Sequence, residues 1–405
     1  MASERTGRSG EAGRGLPPLK LSVLDLVPVM QDADSPAALK QAVLLARTAE
    51  RLGYTRYWVS EHHDMDKLAS ACPEVLLAHI GAHTEKIRIG SGAVLLPHYQ
   101  PIKVAEAFHL LATLHPGRID LGIGRAPGGS AHVMMALSGN FLENIRRMPE
   151  KIQDLSNLLA GEYRLEGELI TARPVPSVSP ELWLLGTNVK SAAYAAEYGT
   201  GYVFGHFMSD ADGAAVLEAY RSKFEPSRLL PKPRAIAAVN VICAETEEEA
   251  LALAAESAGM PQAPGAAAAG SAPRGAAPSG RGADAGLVAS AQPRERSGGL
   301  RQDPASQAAH PGQSPRHTGL SGNASGAPDG ARGSTPDGTQ SGGSSPEPGG
   351  SSRRILAGTP GQIREELTQM QREYGVDEFM IVTNLPDYGK RLQSYELLAA
   401  FLHQS

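Results

Sequence analysis

Short continuous apolar runs alternate along most of this chain with longer segments whose apolar residues recur three and four positions apart. The first pattern predicts buried strands and the second amphipathic helices. Leu19 to Val27 reads as a strand. Ser35–Pro36 supplies an N-cap and a Pro at the first helical position, and Leu39, Ala42, Val43 and Ala46 carry a helix that Gly53 ends. Strand, helix, strand and helix then follow over Tyr57–Ser60, Pro73–His83, Ile87–Leu96 and Ile102–Leu114. Ile119–Ile123 is a fourth strand, followed by a long helix over Phe141–Leu159. Glu162–Thr171 alternates like a small hairpin inserted in a loop. Leu182–Leu185, Tyr202–Phe204 and Ala235–Cys243 are further strands, with helices over Val189–Tyr198, Asp210–Phe224 and Thr246–Ser257.

The pattern then breaks. Between Gly259 and Arg353 lie about 20 of the 45 glycines and about 12 of the 30 prolines, far above average usage. The segment has no aromatic residue, and its large aliphatics are few: Met260, Leu287, Val288, Leu300 and Leu320. It cannot bury enough apolar surface to offset its chain entropy. Residues 259–353 are therefore expected to be a low-complexity disordered insert without which the rest still folds. Residues 1–18 are expected to be a disordered tail, with 19–258 and 354–405 the two parts of one folded unit. The pattern resumes at once after the insert. Thr359–Pro360–Gly361–Gln362 has capping-box spacing, and Ile363, Leu367, Met370 and Tyr374 line one face of a helix that Gly375 stops. Glu378–Thr383 is the last strand, and a closing helix runs over Arg391–Leu402. Eight strands alternating with helices predict a parallel sheet closed into a (β/α)8 TIM barrel, interrupted by the insert in its outer helical layer before the eighth strand.

Composition narrows the function. A net charge of −5 offers no electrostatic footprint for nucleic acid. Two cysteines build no disulfide framework and have no metal-site spacing. Met1 to Gly15 is polar and lacks the apolar core of a signal peptide. No run approaches the about 18 apolar residues of a membrane span. These readings predict a soluble, cytoplasmic protein.

In such a barrel the chemistry sits at the C-terminal ends of the strands. The second strand ends in Glu61–His62–His63–Asp64. An imidazole there suits a general base, the cluster suits a metal, and a polar loop capping the next helix is the plain alternative. The third ends in Gly90–Ser91–Gly92–Ala93, small residues that admit something flat or allow tight packing at a bend. The fourth runs into Gly124–Arg125, where Arg125 suits a phosphate or a surface ion pair. Its glycines lack the spacing and acidic partner of a dinucleotide fingerprint. The fifth ends in Gly186–Thr187–Asn188 before a helix, a setting for phosphate or for simple capping. Cys72 and Cys243 read as inert thiols, and His98, His109 and His115 as ordinary polar positions.

Together these strand ends resemble the bacterial-luciferase-like family of flavin-dependent monooxygenases, in its single-chain members. The matching stretches are Gly53–Asp64 (GYTRYWVSEHHD), Ile89–Pro97 (IGSGAVLLP), Gly117–Arg125 (GRIDLGIGR), Leu184–Thr187 (LLGT) and Gly358–Gln362 (GTPGQ). The resemblance spans about Leu19–Ser257 and Leu356–Leu402. It implies that reduced FMN binds at the C-terminal face and, through a flavin hydroperoxide, oxygenates a small organic substrate with dioxygen. A separate flavin reductase supplies the reduced FMN, and a homodimer is the family expectation. His62 matches the catalytic histidine. Gly92 and Ala93 match the small pair, often joined by a cis peptide, against the flavin ring. Arg125, preceded by Gly124, matches the phosphate-binding arginine. Thr187, between Gly186 and Asn188, matches a phosphate-binding hydroxyl. No metal is implied. Gly186 and Gly124 stand where the light-emitting subunit carries an acidic residue and a reactive cysteine, which argues against light emission and an aldehyde substrate. Three rivals remain: a deazaflavin-dependent hydride-transfer enzyme on the same barrel, a non-catalytic flavin-binding protein, and a metal-dependent hydrolase.

Overall fold

The computed structural model describes residues 16–258 and 355–400. The expected tail up to residue 15, the expected insert and the end of the closing helix lie outside the described residues. In chain order the chain forms β1 (Lys20–Asp25), α1 (Ser35–Arg51), β2 (Arg56–Val59), α2 (Pro73–Gly81), β3 (Arg88–Ser91), β4 (Val94–Leu95), α3 (Pro101–Leu114) and β5 (Ile119–Gly124). Next come α4 (Ala131–Ser138), α5 (Phe141–Arg146), α6 (Met148–Ala160), β6 (Arg164–Leu165), β7 (Glu168–Leu169), β8 (Glu181–Gly186), α7 (Val189–Glu197), β9 (Gly201–Gly205) and α8 (Gly213–Ser222). The last elements are β10 (Ala235–Cys243), α9 (Glu247–Ala258), β11 (Ile355–Gly358), α10 (Pro360–Tyr374), β12 (Glu378–Val382) and α11 (Tyr388–Ala399). Among the described residues no helix is long and apolar enough to cross a membrane.

Eight strands, β1, β2, β3, β5, β8, β9, β10 and β12, pair in parallel in that order, and β12 returns to β1 to close a barrel. These are the eight strands that the apolar runs predict. The β6–β7 hairpin stands where the alternation at Glu162–Thr171 places it.

Three features differ from expectation. The long helix over Phe141–Leu159 is α5 and α6, with α4 before them. Gly139 takes φ 67° after α4, the Asn140 side chain caps α5, and Pro149, which cannot sit inside a helix, opens α6. β11 extends the sheet beside the upper half of β10, pairing Ile355 with Asn240 and Gly358 with Cys243; four residues are too few for periodicity to announce. The outer layer before β12 is filled by α10, whose Ile363, Leu367, Met370 and Tyr374 join the main core. α9 instead packs Ala250 and Leu253 with Ile242, Leu385 and the partly buried Ile355 and Ala357. The elements flanking residues 259–353 thus pack at the C-terminal end of β10 and are not part of the outer layer. A Glu- and Ala-rich helix carries too weak an apolar stripe to say which surface it covers.

Inside the barrel, period-two alternation stacks the side chains in layers. The floor is ionic and buried. Arg56 donates to Asp120 at 2.7 Å, Glu378 at 2.8 Å and Glu181 at 3.2 Å. Arg88 Nε donates to Asp120 at 2.9 Å, and the Trp58 indole N–H at 2.9 Å. Burial opposes ionisation of Asp120, but the Arg56 and Arg88 charges outweigh it and hold its carboxyl below the ordinary range. Above the floor, Trp58 and Trp183 meet edge to face, 5.9 Å between centroids, among Leu24, Val203, Ile236 and Met380. Two indoles fit because the strands facing them carry glycine. A Cβ at Gly90 would lie 2.8 Å from Trp58 Nε1, and one at Gly201 would lie 2.3 Å from the Trp183 ring.

Two glycine variants test this packing by urea unfolding. A Cβ at Gly122 would sit 2.1 Å from the Ser91 carbonyl oxygen, which is backbone and cannot yield. Gly122→Ala is expected to lower stability by about 1–3 kcal/mol or more. Gly361, in the first turn of α10, has nothing within 4 Å of such a Cβ, so Gly361→Ala should be neutral or stabilise by up to ~1 kcal/mol. The reverse order would contradict the packing described.

Candidate active site

Asp25 closes β1, and its buried carboxylate holds the chain's exit from that strand. One oxygen accepts the Val27 N–H at 2.7 Å and Arg391 at 2.8 Å, and the other accepts the Tyr57 hydroxyl at 2.5 Å. Val27 is thereby fixed at φ 54°, a left-handed conformation that is costly for a β-branched side chain.

β2 leads into Ser60–Asp64, and the buried Glu61 carboxylate organises this turn. It accepts the Leu95 N–H at 3.0 Å, the Tyr99 hydroxyl at 2.7 Å and His63 Nε2 at 2.7 Å. The β2 tip is thus tied to β4. The His62 N–H donates to the Ser70 carbonyl at 2.8 Å. Its ring is half-buried, with Nδ1 at 3.0 Å from the Ser60 hydroxyl. Nε2 makes no hydrogen bond among the described residues. Burial, then the neighbouring His63, lowers the His62 pKa to about 4. At neutral pH the ring is uncharged and has one nitrogen free to take up a proton. His98 is less ordinary than its sequence position implies: it stacks on Phe141 at 4.9 Å, bonds the Pro127 carbonyl at 3.0 Å and lies edge-on to His63.

Past β3 the Gly92 N–H donates to the Val59 carbonyl at 2.8 Å, and the Gly92–Ala93 peptide is cis. A Cβ at Gly124, the last residue of β5, would lie 3.2 Å from the Ala93 Cβ. Ala93 and Gly124 therefore meet closely between two adjacent strands, while a Cβ at Gly92 would lie 2.6 Å from Leu24 Cδ1 and 3.3 Å from the Trp58 ring. Arg125 follows, half-buried, with no hydrogen bond or ion pair among the described residues.

At β8 the chain passes from Gly186 into α7 with close backbone approach. A Cβ at Gly186 would meet the Ser191 hydroxyl at 2.1 Å. Asn188 caps α7, accepting the Ser191 N–H at 3.1 Å, while Ser191 Oγ accepts the Asn188 N–H at 3.3 Å. Thr187 accepts from Ser209 through its carbonyl at 2.6 Å. Its hydroxyl has no partner among the described residues. Tyr202 of β9 reaches the same turn, its hydroxyl 3.0 Å from Ser191 Oγ. Burial pushes that phenol up to about 12, against the pull of its hydrogen bonds to Ser191 and Asn188 and of the nearby Arg125 charge. Ile123 of β5 pairs with Leu184 of β8, so Arg125 leaves β5 beside the turn from β8 into α7, where N–H groups and the helix dipole favour an anion.

The structure thus brings His62, Gly92, Ala93, Gly124, Arg125, Gly186, Thr187 and Asn188 to the ends of consecutive strands at one face. The organising roles of Asp25, Glu61 and Tyr202 escaped sequence reasoning. Glu61 was visible only as the first member of a polar run. Among the described residues no three His, Cys, Asp or Glu side chains converge as a metal site.

A family model described as "Luciferase-like monooxygenase" matches residues 19–378. The uncharacterized protein YwcH of Bacillus subtilis is 46% identical over 241 residues, covering 58% of this chain and 72% of that protein. The N-acetyl-S-alkylcysteine monooxygenase of the same organism is 39% identical over 236 residues, covering 57% of this chain and 70% of that protein. The crystal structure of apo-MsnO8 aligns with a TM-score of 0.69 at 29% identity, over 96% of this chain and 99% of that one. The chain belongs to the luciferase-like monooxygenase family, and it is an oxidoreductase of that family.

Proposed function

We propose that this enzyme oxygenates a small organic molecule with dioxygen and reduced FMN, using His62 at the reacting centre and Arg125 with the α7 N-terminus at the flavin phosphate. The observation that carries this reading is the half-buried, unpaired Arg125 beside a helix N-terminus. A guanidinium left without a counter-ion there fits a phosphate dianion, and the unpartnered Thr187 hydroxyl adds a donor. Ala93 and Gly124 present only small groups where a flat ring would rest on the adjacent strands. Bound reduced FMN would supply the electrons that activate dioxygen.

The chain's own residues do the rest. Arg125 and Thr187 hold the phosphate. Gly186 lets β8 and α7 approach closely enough to aim the helix terminus, and Asn188 keeps that terminus capped. Ser60 orients the His62 ring through Nδ1, leaving Nε2 to accept or return a proton. Leu26, Leu185 and Phe207, the partly buried rim of the interior cluster, exclude water from the reacting centre. A separate flavin reductase and a homodimeric assembly accompany this reading. The first substrates to assay are N-acetyl-S-alkylcysteines, after the related Bacillus subtilis enzyme. Oxygen uptake that requires reduced FMN separates this reading from deazaflavin-dependent hydride transfer.

Arg125→Ala should weaken FMN binding about 10- to 100-fold, the worth of a charged hydrogen bond, and leave riboflavin binding little changed. An equal loss for both ligands would remove Arg125 from the phosphate. His62→Ala should cut turnover by about 10²- to 10⁴-fold with FMN affinity within a few-fold of wild type. A matching loss of affinity would assign His62 to binding.

The pKa of His62 can be read by NMR titration of the flavin-free protein, and its ring signals should stay in the neutral form down to pH 5 and titrate near about 4. The unfolded chain, with an ordinary His pKa near ~6.5, binds the extra proton first, so this residue's contribution to stability falls as pH drops from about 6.5 to 4. A midpoint at 6 or above would contradict the burial described.

A further inference from the structure

We infer that Asn240 is a specificity-determining residue whose side-chain carbonyl accepts a hydrogen bond from an N–H or O–H group of the organic substrate. The inference rests on the flavin site proposed above. Asn240 Oδ1 is buried and has no hydrogen-bond partner among the described residues. Native proteins seldom leave a buried acceptor unpaired, because it forfeits its bond to water and gains none in return. The other buried polar side-chain atoms without a partner among the described residues lie elsewhere. His109 is on α3, His115 just after it, Ser156 on α6, and Trp183 in the lower interior of the barrel.

The strand pattern places Asn240 at the mouth. Ala238 belongs to the cluster that fills the barrel. Two residues further along β10, Asn240 shares that inward face one layer closer to the C-terminal end. It pairs in register with Val382 of β12, and the neighbouring rim positions are Leu26 and Phe207. This wall is apolar apart from Asn240 and Asn384.

Strand order then separates it from the cofactor. His62, Gly92–Ala93, Arg125 and Thr187 follow or join β2, β3, β5 and β8, four consecutive barrel strands. β10 lies in the other half of the ring, between β9 and β12. A flat ring resting on Ala93 has its free face toward that half, and so does the substrate. The compartment there is largely apolar, with the unsatisfied Asn240 acceptor and, two residues past Val382, the buried Asn384. Its complement is a largely apolar molecule that carries a hydrogen-bond donor for Asn240, such as a secondary amide or an alcohol.

Two amides that differ only in the donor test this: N-hexylacetamide and N-hexyl-N-methylacetamide, titrated calorimetrically into the FMN-saturated enzyme. The wild type should bind the first about tenfold more tightly or better. Asn240→Leu should bind both alike while FMN affinity is unchanged. Should that variant fail to fold, Asn240→Ala carries the same expectation. A wild type that binds neither amide, or both equally, overturns the inference. So does a variant that keeps the preference. Loss of FMN affinity with the preference retained would move Asn240 to the flavin and also overturn it. Failure of the wild type to bind FMN at all is a separate result, which removes the flavin reading and this inference with it.

Discussion

One buried carboxylate, Asp120, ties together the three strands whose far ends carry the candidate site. It accepts from Arg56 on β2, from Arg88 on β3 and from the Trp58 indole, and it stands on β5 itself. His62, the Gly92–Ala93 peptide and Arg125 follow those same three strands. Any slip of one strand past another would unpair this group, and breaking a buried pair typically costs about 3–5 kcal/mol. The registers β2–β3 and β3–β5 are therefore strongly determined at the floor. Glu61 makes the corresponding tie at the mouth, joining the β2 tip to Leu95 and Tyr99. Between two clamped ends the side chains of the candidate site inherit positions that their own loops are too short and polar to define.

The glycines make room at two levels along the same strands. Lower in the barrel, Gly90 and Gly201 make way for the indoles of Trp58 and Trp183. Higher up, Gly92 makes way for Leu24 and the Trp58 ring, and Gly124 for Ala93. Gly90 and Gly92 are thus packing residues, and in the proposed site the flat ring would meet Ala93 beside Gly124. Steric demand at both levels is met by one repeating pattern, because side chains alternate inward every second residue.

The barrel was readable because buried parallel strands are short apolar runs and their crossover helices carry clear stripes and caps. The Thr359–Gln362 capping box forms as its spacing predicts. The rule that chemistry gathers at the strands' C-terminal ends singled out His62 and Arg125 as candidates without any contact information, and the structure sets both at that face. What could not be read depends on partners distant in sequence. Asp25 meets Arg391 and Glu61 meets Tyr99 only once the chain has folded. α9 and β11 have too little apolar pattern to reveal that they pack at the end of β10. Asn240 is conspicuous by lacking a partner, and a sequence does not display an absent hydrogen bond. Asn188 and Thr187 were interchangeable as caps until the backbone showed that Asn188 takes the role.

Whether the ends of β2, β3, β5 and β8 form one flavin site is decided by a crystal structure of the protein grown with FMN. The phosphate is expected against the Arg125 guanidinium and the first turn of α7, with the ring against Ala93 and His62 Nε2 facing it. FMN bound with its phosphate away from Arg125, or at another face of the barrel, would contradict that arrangement.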